Sequence, residues 1–147
     1  MVKNVAFPFS NLDHIGIVVR DIDKAAASLA VLGVGPFKTS GRAPITEKYV
    51  RGKPVPYKVE TRFAKMGPIV IELTQHFGGE CIQKEFLDTK GEGLHHIGFQ
   101  VNDVWGEADK LAKQGIAIEQ SGKRPTGGGF LFFKNDAGLY IEFFQPE

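Results

Sequence analysis

Residues 93–101, Gly-Leu-His-His-Ile-Gly-Phe-Gln-Val, decide the fold of this chain because they repeat an earlier segment. Residues 11–19 read Asn-Leu-Asp-His-Ile-Gly-Ile-Val-Val, and placing His14 on His96 also aligns the residues that follow. A repeat of this length predicts two copies of one module built from a strand, a turn and a helix. The further aligned pairs include Val19 and Val101, Asp21 and Asp103, Leu29 and Leu111, and Gly33 and Gly115.

Each copy predicts a strand, a helix and three further strands. Apolar, β-branched runs such as Leu12–Val19 are typical of strands, and the alanine-rich run Lys24–Leu32 ends at a glycine, as helices do. We therefore predict an α+β fold in a single domain over residues 1–147, with two β-α-β-β-β modules at about 10–77 and 94–147 and a linker at about 78–93. The other predicted elements are strands Tyr57–Lys65, Ile69–Gln75, Leu94–Val101, Ile116–Gln120, Phe130–Lys134 and Leu139–Gln145, helix Val104–Gln114 and a helical turn at Ile82–Leu87.

The two modules differ mainly in the segment Gly35–Pro56, where the first copy carries about a dozen extra residues. Prolines and glycines interrupt any long element there, which predicts a loop or extended arm with a short strand near Phe37–Ser40. Extra length confined to one copy is where a repeat protein usually develops its own binding face.

The composition excludes several classes of protein. The 18 basic and 17 acidic side chains are mixed along the chain, so nucleic acid is not an expected partner. No run of about 18 apolar residues occurs, and the first ten residues lack the pattern of a signal peptide. Because Cys81 is the single cysteine, no disulfide forms within the chain. We expect a soluble cytoplasmic protein that binds neither nucleic acid nor membranes.

Four residues at matching places in the repeat form a candidate metal site. His14 and His96 lie near the start of the first strand of each module, and Glu72 and Glu142 lie in the last strand. A carboxylate among apolar strand residues costs several kcal/mol unless it is paired or binds a metal. Two imidazoles and two carboxylates balance one divalent cation and leave one or two positions open, as in catalytic sites. Ni, Co, Zn, Mn and Fe all accept this set.

Neighbours of the two histidines add to this prediction. Strand alternation puts Gly16 on the face of His14 and Gly98 on the face of His96, where a missing side chain leaves room for an ion or ligand. The same alternation predicts that His95 points to the opposite face from His96, in a packing or interface role.

The whole chain resembles the vicinal oxygen chelate superfamily, which includes glyoxalase I, methylmalonyl-CoA epimerase and extradiol dioxygenases. The segments Gly91–Ile97 and Thr126–Gly129 look like methylmalonyl-CoA epimerase, whereas Ile71–Thr74 looks as much like glyoxalase I. The dioxygenases use three ligands, so a set of four argues against them. The resemblance implies a cupped, half-barrel mixed sheet with helices outside, around one metal ion held by His14, Glu72, His96 and Glu142.

The resemblance also implies proton removal from a carbon next to a carbonyl, with the metal stabilising the resulting enediolate. Glu142 is one candidate for the catalytic base. Glu60 is the other, because it lies where some epimerases carry a catalytic glutamate. A base on each face of the carbon suits epimerisation, although a solvated strand residue explains Glu60 equally well.

Arg62, Gly127 and Gly128 are the candidate substrate-binding residues. Arg62 shares the strand face of Glu60, where it either clamps a carboxylate or is a surface charge. The basic residues of the arm and of the loop before the glycine run either meet a phosphate-bearing tail such as that of coenzyme A or are solvated loop charges. These residues are Arg42, Lys48, Arg51, Lys123 and Arg124.

The expected function is that of a metal-dependent epimerase or isomerase similar to methylmalonyl-CoA epimerase, acting on a small molecule such as an acyl-CoA. A lyase similar to glyoxalase I, acting on a glutathione adduct, is the first alternative. A non-catalytic small-molecule binding protein is the second, although such a protein does not need four metal ligands. We expect a homodimer, with the two modules paired either within one chain or across the dimer.

Overall fold

The computed structural model describes residues 7–9 and 11–147. Within these residues the chain forms three helices and one mixed sheet of nine strands that curls into a half-barrel, as predicted. The strands are β1 (Leu12–Val19), β2 (Glu47–Val50), β3 (Lys53–Pro54), β4 (Lys58–Met66), β5 (Ile69–Gly78), β6 (Gly93–Gln100), β7 (Gln120–Lys123), β8 (Gly129–Lys134) and β9 (Tyr140–Gln145). The helices are α1 (Ile22–Ala30), α2 (Ile82–Lys90) and α3 (Val104–Lys113).

Helices α1 and α3 both begin at the aspartate that the repeat aligns. The carboxylate of Asp21 accepts a hydrogen bond from the backbone N–H of Lys24 at 3.0 Å, and that of Asp103 accepts one from Gly106 at 3.0 Å. Such a cap contributes about 1 kcal/mol to helix stability. In the described part of the chain, none of the helices is long and apolar enough to cross a membrane.

The two modules meet at the centre of the sheet, where β1 pairs antiparallel with β6. The order across the sheet is β3-β2-β7-β8-β9-β6-β1-β5-β4. Strand β5 lies parallel to β1, and β9 lies parallel to β6, so the last strand of each module is the neighbour of its first strand. This topology brings each predicted histidine next to the strand that carries a predicted glutamate.

The largest core cluster lies between α3 and the strands of the second module. Its buried members include Phe99, Leu111, Leu131 and Phe143, each at most 7% exposed. Burial of one such side chain contributes roughly 1.5–3 kcal/mol to folding. Helix α3 is thereby held against the sheet from outside, which leaves the other face of the strands available for the site.

The arm differs from the sequence prediction because it forms a hairpin. Strands β2 and β3 pair with each other, and β2 also pairs with β7 at the edge of the second module. The strand predicted at Phe37–Ser40 is reduced to a single bridge between Lys38 and Phe63. The extra residues of the first copy therefore extend the sheet of the second copy.

Two predicted boundaries are wrong. The helical turn predicted at Ile82–Leu87 is the start of α2, which continues to Lys90, so most of the predicted linker is helical. Ile82 and Leu87 are buried, and this burial holds α2 against the sheet. The strand predicted at Ile116–Gln120 begins only at its last residue, because Ile116 and Ile118 pack against the core beneath α3 instead of joining the sheet.

Candidate metal centre

The four predicted ligands converge in one chain. His14 on β1 and His96 on β6 meet at the central strand pair, and Glu72 on β5 and Glu142 on β9 lie on the strands beside them. All four residues are buried, with between 1% and 8% of their surface exposed. Because one chain supplies the whole set, the site does not require a module from a second copy.

The donor atoms are spaced as one small cation requires. Nε2 of His14 lies 3.1 Å from Nε2 of His96, 2.7 Å from Oε2 of Glu142 and 3.4 Å from Oε2 of Glu72. Nε2 of His96 lies 3.2 Å from Oε2 of Glu142 and 3.7 Å from Oε1 of Glu72. Metal–ligand bonds of about 2.1 Å place neighbouring donors of an octahedral ion about 3.0 Å apart. The four side chains therefore fit a divalent transition metal ion.

Gly16 and Gly98 make room for the two imidazole rings. A Cβ atom at position 98 would overlap Cε1 and Nε2 of His14, and a Cβ atom at position 16 would overlap the ring of His96. This follows from the antiparallel register of β1 and β6, in which His14 is opposite Gly98 and Gly16 is opposite His96. We expected each glycine to leave empty space beside the histidine of its own module. This expectation is wrong, because each glycine accommodates the ring of the histidine in the other module.

Without a metal ion, a proton takes the place of the cation. Burial alone lowers the pKa of His14, but the charge of Glu142 and hydrogen bonds to Asp13 and Glu142 outweigh burial and raise this pKa to about 11. Burial raises the pKa of Glu142, yet the charge of His14 and hydrogen bonds from His14 and His96 hold it below its usual range. The His14 imidazolium is therefore paired with the Glu142 carboxylate.

We expect pH to act in opposite directions on the stability of the metal-free protein and on its metal affinity. The pKa of His14 is raised on folding from 6.5 to about 11. Its proton therefore contributes fully to the free energy of unfolding below pH 6.5, and the contribution is lost as the pH rises towards 11. A metal ion must displace this proton, so its apparent affinity rises by up to about tenfold per pH unit in that range.

Isothermal titration calorimetry at about pH 8, in buffers of different ionisation enthalpy, measures this displacement, and about one proton should be released per ion bound. Denaturant titrations of the metal-free protein should give unfolding midpoints that decrease as the pH rises from 6.5 towards 11. Metal uptake without proton release would contradict the pairing of His14 with Glu142.

Two of the candidate ligands are oriented by a further hydrogen bond. Nδ1 of His14 donates to Oδ2 of Asp13 at 2.9 Å, which leaves Nε2 of this ring facing the site. The hydroxyl group of Thr74 donates to Oε1 of Glu72 at 2.9 Å. Loss of such an outer partner typically lowers metal affinity by about 10- to 100-fold.

His95 orients His96 in the same way. The prediction that the His95 side chain points to the opposite face of the strand is therefore wrong. His95 is the extra residue of a β-bulge between the pairs Gly16–His96 and Ile17–Leu94, and its Nδ1 lies 2.9 Å from Nδ1 of His96. Burial and then the charge of His96 lower the pKa of His95 to about 3, so the His95 ring is neutral. When Nε2 of His96 is a metal ligand, Nδ1 of His96 carries the proton and donates to Nδ1 of His95. Simple alternation misses this contact because a bulge shifts the faces of a strand by one residue.

The site opens into a cavity of about 350 Å³, a size that suits a small organic ligand. His14, Glu72 and Glu142 form part of its wall. The arm contributes a large share of the remaining wall, as expected for the segment in which the two copies differ. The other lining residues are Ser40, Arg42, Ala43, Pro44, Ile45, Lys48, Tyr57, Val59, Thr61, Phe63, Gln83, Gln120, Arg124, Phe130, Phe132 and Phe144.

The structure does not bring Glu60 or Arg62 to this cavity. Alternate residues of β4 line the cavity, and Glu60 and Arg62 occupy the intervening positions, which face the other way. Glu60 accepts a hydrogen bond from Nε of Arg62 at 2.8 Å, and Arg62 also donates to Asp23 at 2.8 Å. The two residues thus belong to a partly exposed ion-pair network beside α1.

Gly127 and Gly128 form a turn and do not line the cavity. Their φ angles of 102° and 74° lie in the region that favours glycine, and the N–H of Gly127 donates to the carbonyl of Arg124 at 3.2 Å. Of the five basic residues in the arm and in the loop before the glycine run, Arg42, Lys48 and Arg124 line the cavity. Arg51 is instead paired with two glutamates, and Lys123 lies over the ring of Trp105.

Residues 13–133 match the family described as "Glyoxalase/Bleomycin resistance protein/Dioxygenase superfamily". The matched region contains three of the four candidate ligands, His14, Glu72 and His96. Over 143 residues the chain is also 27% identical to YqjC of Bacillus subtilis (strain 168), which is described as an uncharacterized protein, and the match covers 94% of each chain.

Several solved structures share the fold. The hypothetical protein BH1468 from Bacillus halodurans C-125 has a TM-score of 0.68 and 22% identity, over 93% of this chain and 94% of its own. Methylmalonyl-CoA epimerase from Mycobacterium tuberculosis has a TM-score of 0.65 and 20% identity, over 94% and 89% of the two chains. A variant of the Streptomyces coelicolor epimerase in complex with 2-nitronate-propionyl-CoA has a TM-score of 0.64 and 21% identity, over 92% and 96%.

Proposed function

This chain belongs to the glyoxalase/bleomycin resistance protein/dioxygenase superfamily, and on that basis we propose that it is a divalent-metal-dependent epimerase or isomerase that removes a proton from a carbon next to a carbonyl group. One observation carries the proposal: donor atoms of two histidines and two glutamates, all buried, lie within 4.8 Å of one another beside a cavity. The fold shared with methylmalonyl-CoA epimerases supports an acyl thioester as the first substrate class to test.

A divalent ion held by the four side chains would polarise the substrate carbonyl and acidify the neighbouring C–H bond. Proton transfer then falls to carboxylates of the chain itself. Glu142 and Glu72 lie on matching strands of the two modules, and both line the cavity. Because each carboxylate has two oxygens, one can face the ion while the other faces the substrate.

We propose Glu142 as the base on one face of the reacting carbon and Glu72 as the proton donor on the other. This pair replaces the pair of Glu60 and Glu142 expected from the sequence, since Glu60 lies outside the cavity. The apolar rings of Phe132 and Phe144 form part of the wall near these carboxylates. An apolar wall lowers the local dielectric and strengthens the interactions that stabilise a developing negative charge.

A lyase similar to glyoxalase I is the second candidate, because it requires the same type of proton transfer. The observation that favours the lyase is the carboxylate of Glu72. Proteins that resemble methylmalonyl-CoA epimerase often have a glutamine at this position. A non-catalytic binding protein agrees less well with the site, since ligand binding alone does not require two carboxylates buried with two imidazoles.

Deuterium exchange tests the proposal directly. Protein reconstituted separately with Ni²⁺, Co²⁺, Zn²⁺, Mn²⁺ or Fe²⁺ is incubated with methylmalonyl-CoA in D₂O, and mass spectrometry should detect exchange at the carbon between the two carbonyl groups. Formation of S-lactoylglutathione from methylglyoxal and glutathione is measured in parallel. The His96→Ala variant should lose both the metal and the activity. Failure of every metal form with both substrates would contradict the proposed function.

A further inference from the structure

We propose that Arg124 and Arg42 form an anion-binding subsite in the cavity, so that the ligand carries an acidic group, a carboxylate or a phosphate, in addition to its reacting carbonyl. The inference rests on the proposed function for that carbonyl and for the bound metal ion. The subsite itself follows from the surroundings of the two guanidinium groups and from the balance of charge in the cavity wall.

Arg124 is a largely buried cation with an unused donor. Its side chain is only 11% exposed, and its Nε donates to the carbonyl oxygen of Ala43 at 3.0 Å, which fixes the plane of the guanidinium group. Its Nη1 is buried and has no hydrogen-bond partner within residues 7–9 and 11–147. A buried N–H group without an acceptor is unfavourable, and the same arginine lines the cavity, where its guanidinium group can turn towards an acidic ligand.

Among the described residues, the ion pair of Arg124 is a long one. Oε1 of Glu147 lies 4.0 Å from Nε, beyond hydrogen-bond distance, and already accepts a bond from the N–H of Ala43 at 2.6 Å. Burial and then the positive charge of Arg42 lower the pKa of Arg124, and the opposing charges of Glu147 and Glu142 do not offset them. Two adjacent guanidinium groups at a cavity wall favour an anion between them.

Arg42 approaches the cavity from the arm. Its guanidinium carbon lies 5.2 Å from the centre of the Phe144 ring, which is itself part of the wall. This contact uses the face of the guanidinium group and leaves the N–H groups at its edge available to a ligand. The arm of the first module and the β7–β8 turn of the second thus each contribute one arginine.

The charge of the cavity wall also points to an anionic ligand. Glu72 and Glu142 balance a divalent ion, so the cations of the wall, Arg42, Lys48 and Arg124, remain in excess. Lys48 already donates to the carbonyl of Tyr57 at 2.8 Å. The two arginines are therefore the donors best placed for an acidic group, and their planar geometry suits both carboxylate and phosphate.

Equilibrium binding to the metal-loaded protein tests the subsite with three probes. Methylmalonyl-CoA carries a carboxylate and phosphates, propionyl-CoA carries the phosphates without the carboxylate, and malonate carries carboxylates alone. We expect Arg124→Gln to weaken methylmalonyl-CoA binding by about 10- to 100-fold. A parallel loss for malonate identifies the group as a carboxylate, and a parallel loss for propionyl-CoA identifies it as a phosphate.

Arg51→Gln is the matched control, because Arg51 lies on the same arm but is paired with Glu85 and Glu119 outside the cavity wall. Metal content and the unfolding midpoint show whether Arg124→Gln is folded, and the exposed Arg42→Gln provides the test if it is not. The proposal is overturned if the folded variant binds all three probes as the wild type does, or if the wild type binds none. Since no turnover is measured, this result is separate from the presence of epimerase activity.

Discussion

Replacing Gly98 by alanine is expected to abolish tight metal binding while the fold survives. The added Cβ atom would overlap Cε1 and Nε2 of the His14 ring. The ring lies at the movable end of a side chain, so it gives way more easily than the central strands do. A displaced ring removes one of four ligands, and the affinity should fall by about 100-fold or more, beyond the usual effect of losing an outer partner.

Gly78→Ala is the matched control for this prediction. Gly78 also lies in a strand, at the end of β5, and an added Cβ atom there meets nothing within 4 Å in the described part of the chain. Competition with a coloured chelator gives the metal affinity of each variant, and circular dichroism gives the fold. A Gly98→Ala protein with wild-type affinity would refute the arrangement in which each glycine accommodates the imidazole of the other module.

The cluster of four candidate ligands could be predicted from the sequence because the repeat presents each type twice. His14 matches His96, and Glu72 and Glu142 end matching modules, so a single local pattern identified the set. Parallel pairing of the first and last strands then brings each histidine near its glutamate. Strand alternation and the order of the elements were sufficient for this part of the site.

Contacts between the modules could not be predicted in this way, because they depend on the register of two strands distant in sequence. The pairing of Gly98 with His14 is one example. The bulge at His95 is another, although the repeat contained a signal for it. Asp13 and His95 occupy matching positions, and each forms a hydrogen bond with the histidine that follows it.

The position of Glu60 outside the cavity wall could be predicted from the strand that carries it. Along β4 the residues Val59, Thr61 and Phe63 alternate with polar and charged residues, which predicts that Glu60 faces away from the cavity. The structure agrees with that alternation. The catalytic role expected for Glu60 rests on the resemblance to epimerases and not on the pattern of the strand.

The second large effect is expected at the two proposed proton carriers. Glu142→Gln and Glu72→Gln should each slow deuterium exchange from a different epimer of the substrate, because each removes the base on one face of the carbon. A general base contributes about 100- to 10,000-fold to the rate, so exchange from the affected epimer should slow by that factor. Exchange from the other epimer should continue, since its base remains.

Glutamine keeps an oxygen that can face the ion. The metal content of each variant at saturating metal therefore shows whether slow exchange results from a lost ligand or from lost proton transfer. Glu60→Gln is the matched control, because Glu60 lies on β4 outside the cavity and pairs with Arg62. Exchange from both epimers should proceed in it at the wild-type rate. If each cavity variant slows both epimers equally with the metal retained, one carboxylate does not serve one face. If only Glu60→Gln slows exchange, the base lies on β4, and the ligand must then reach past the wall formed by Val59 and Thr61.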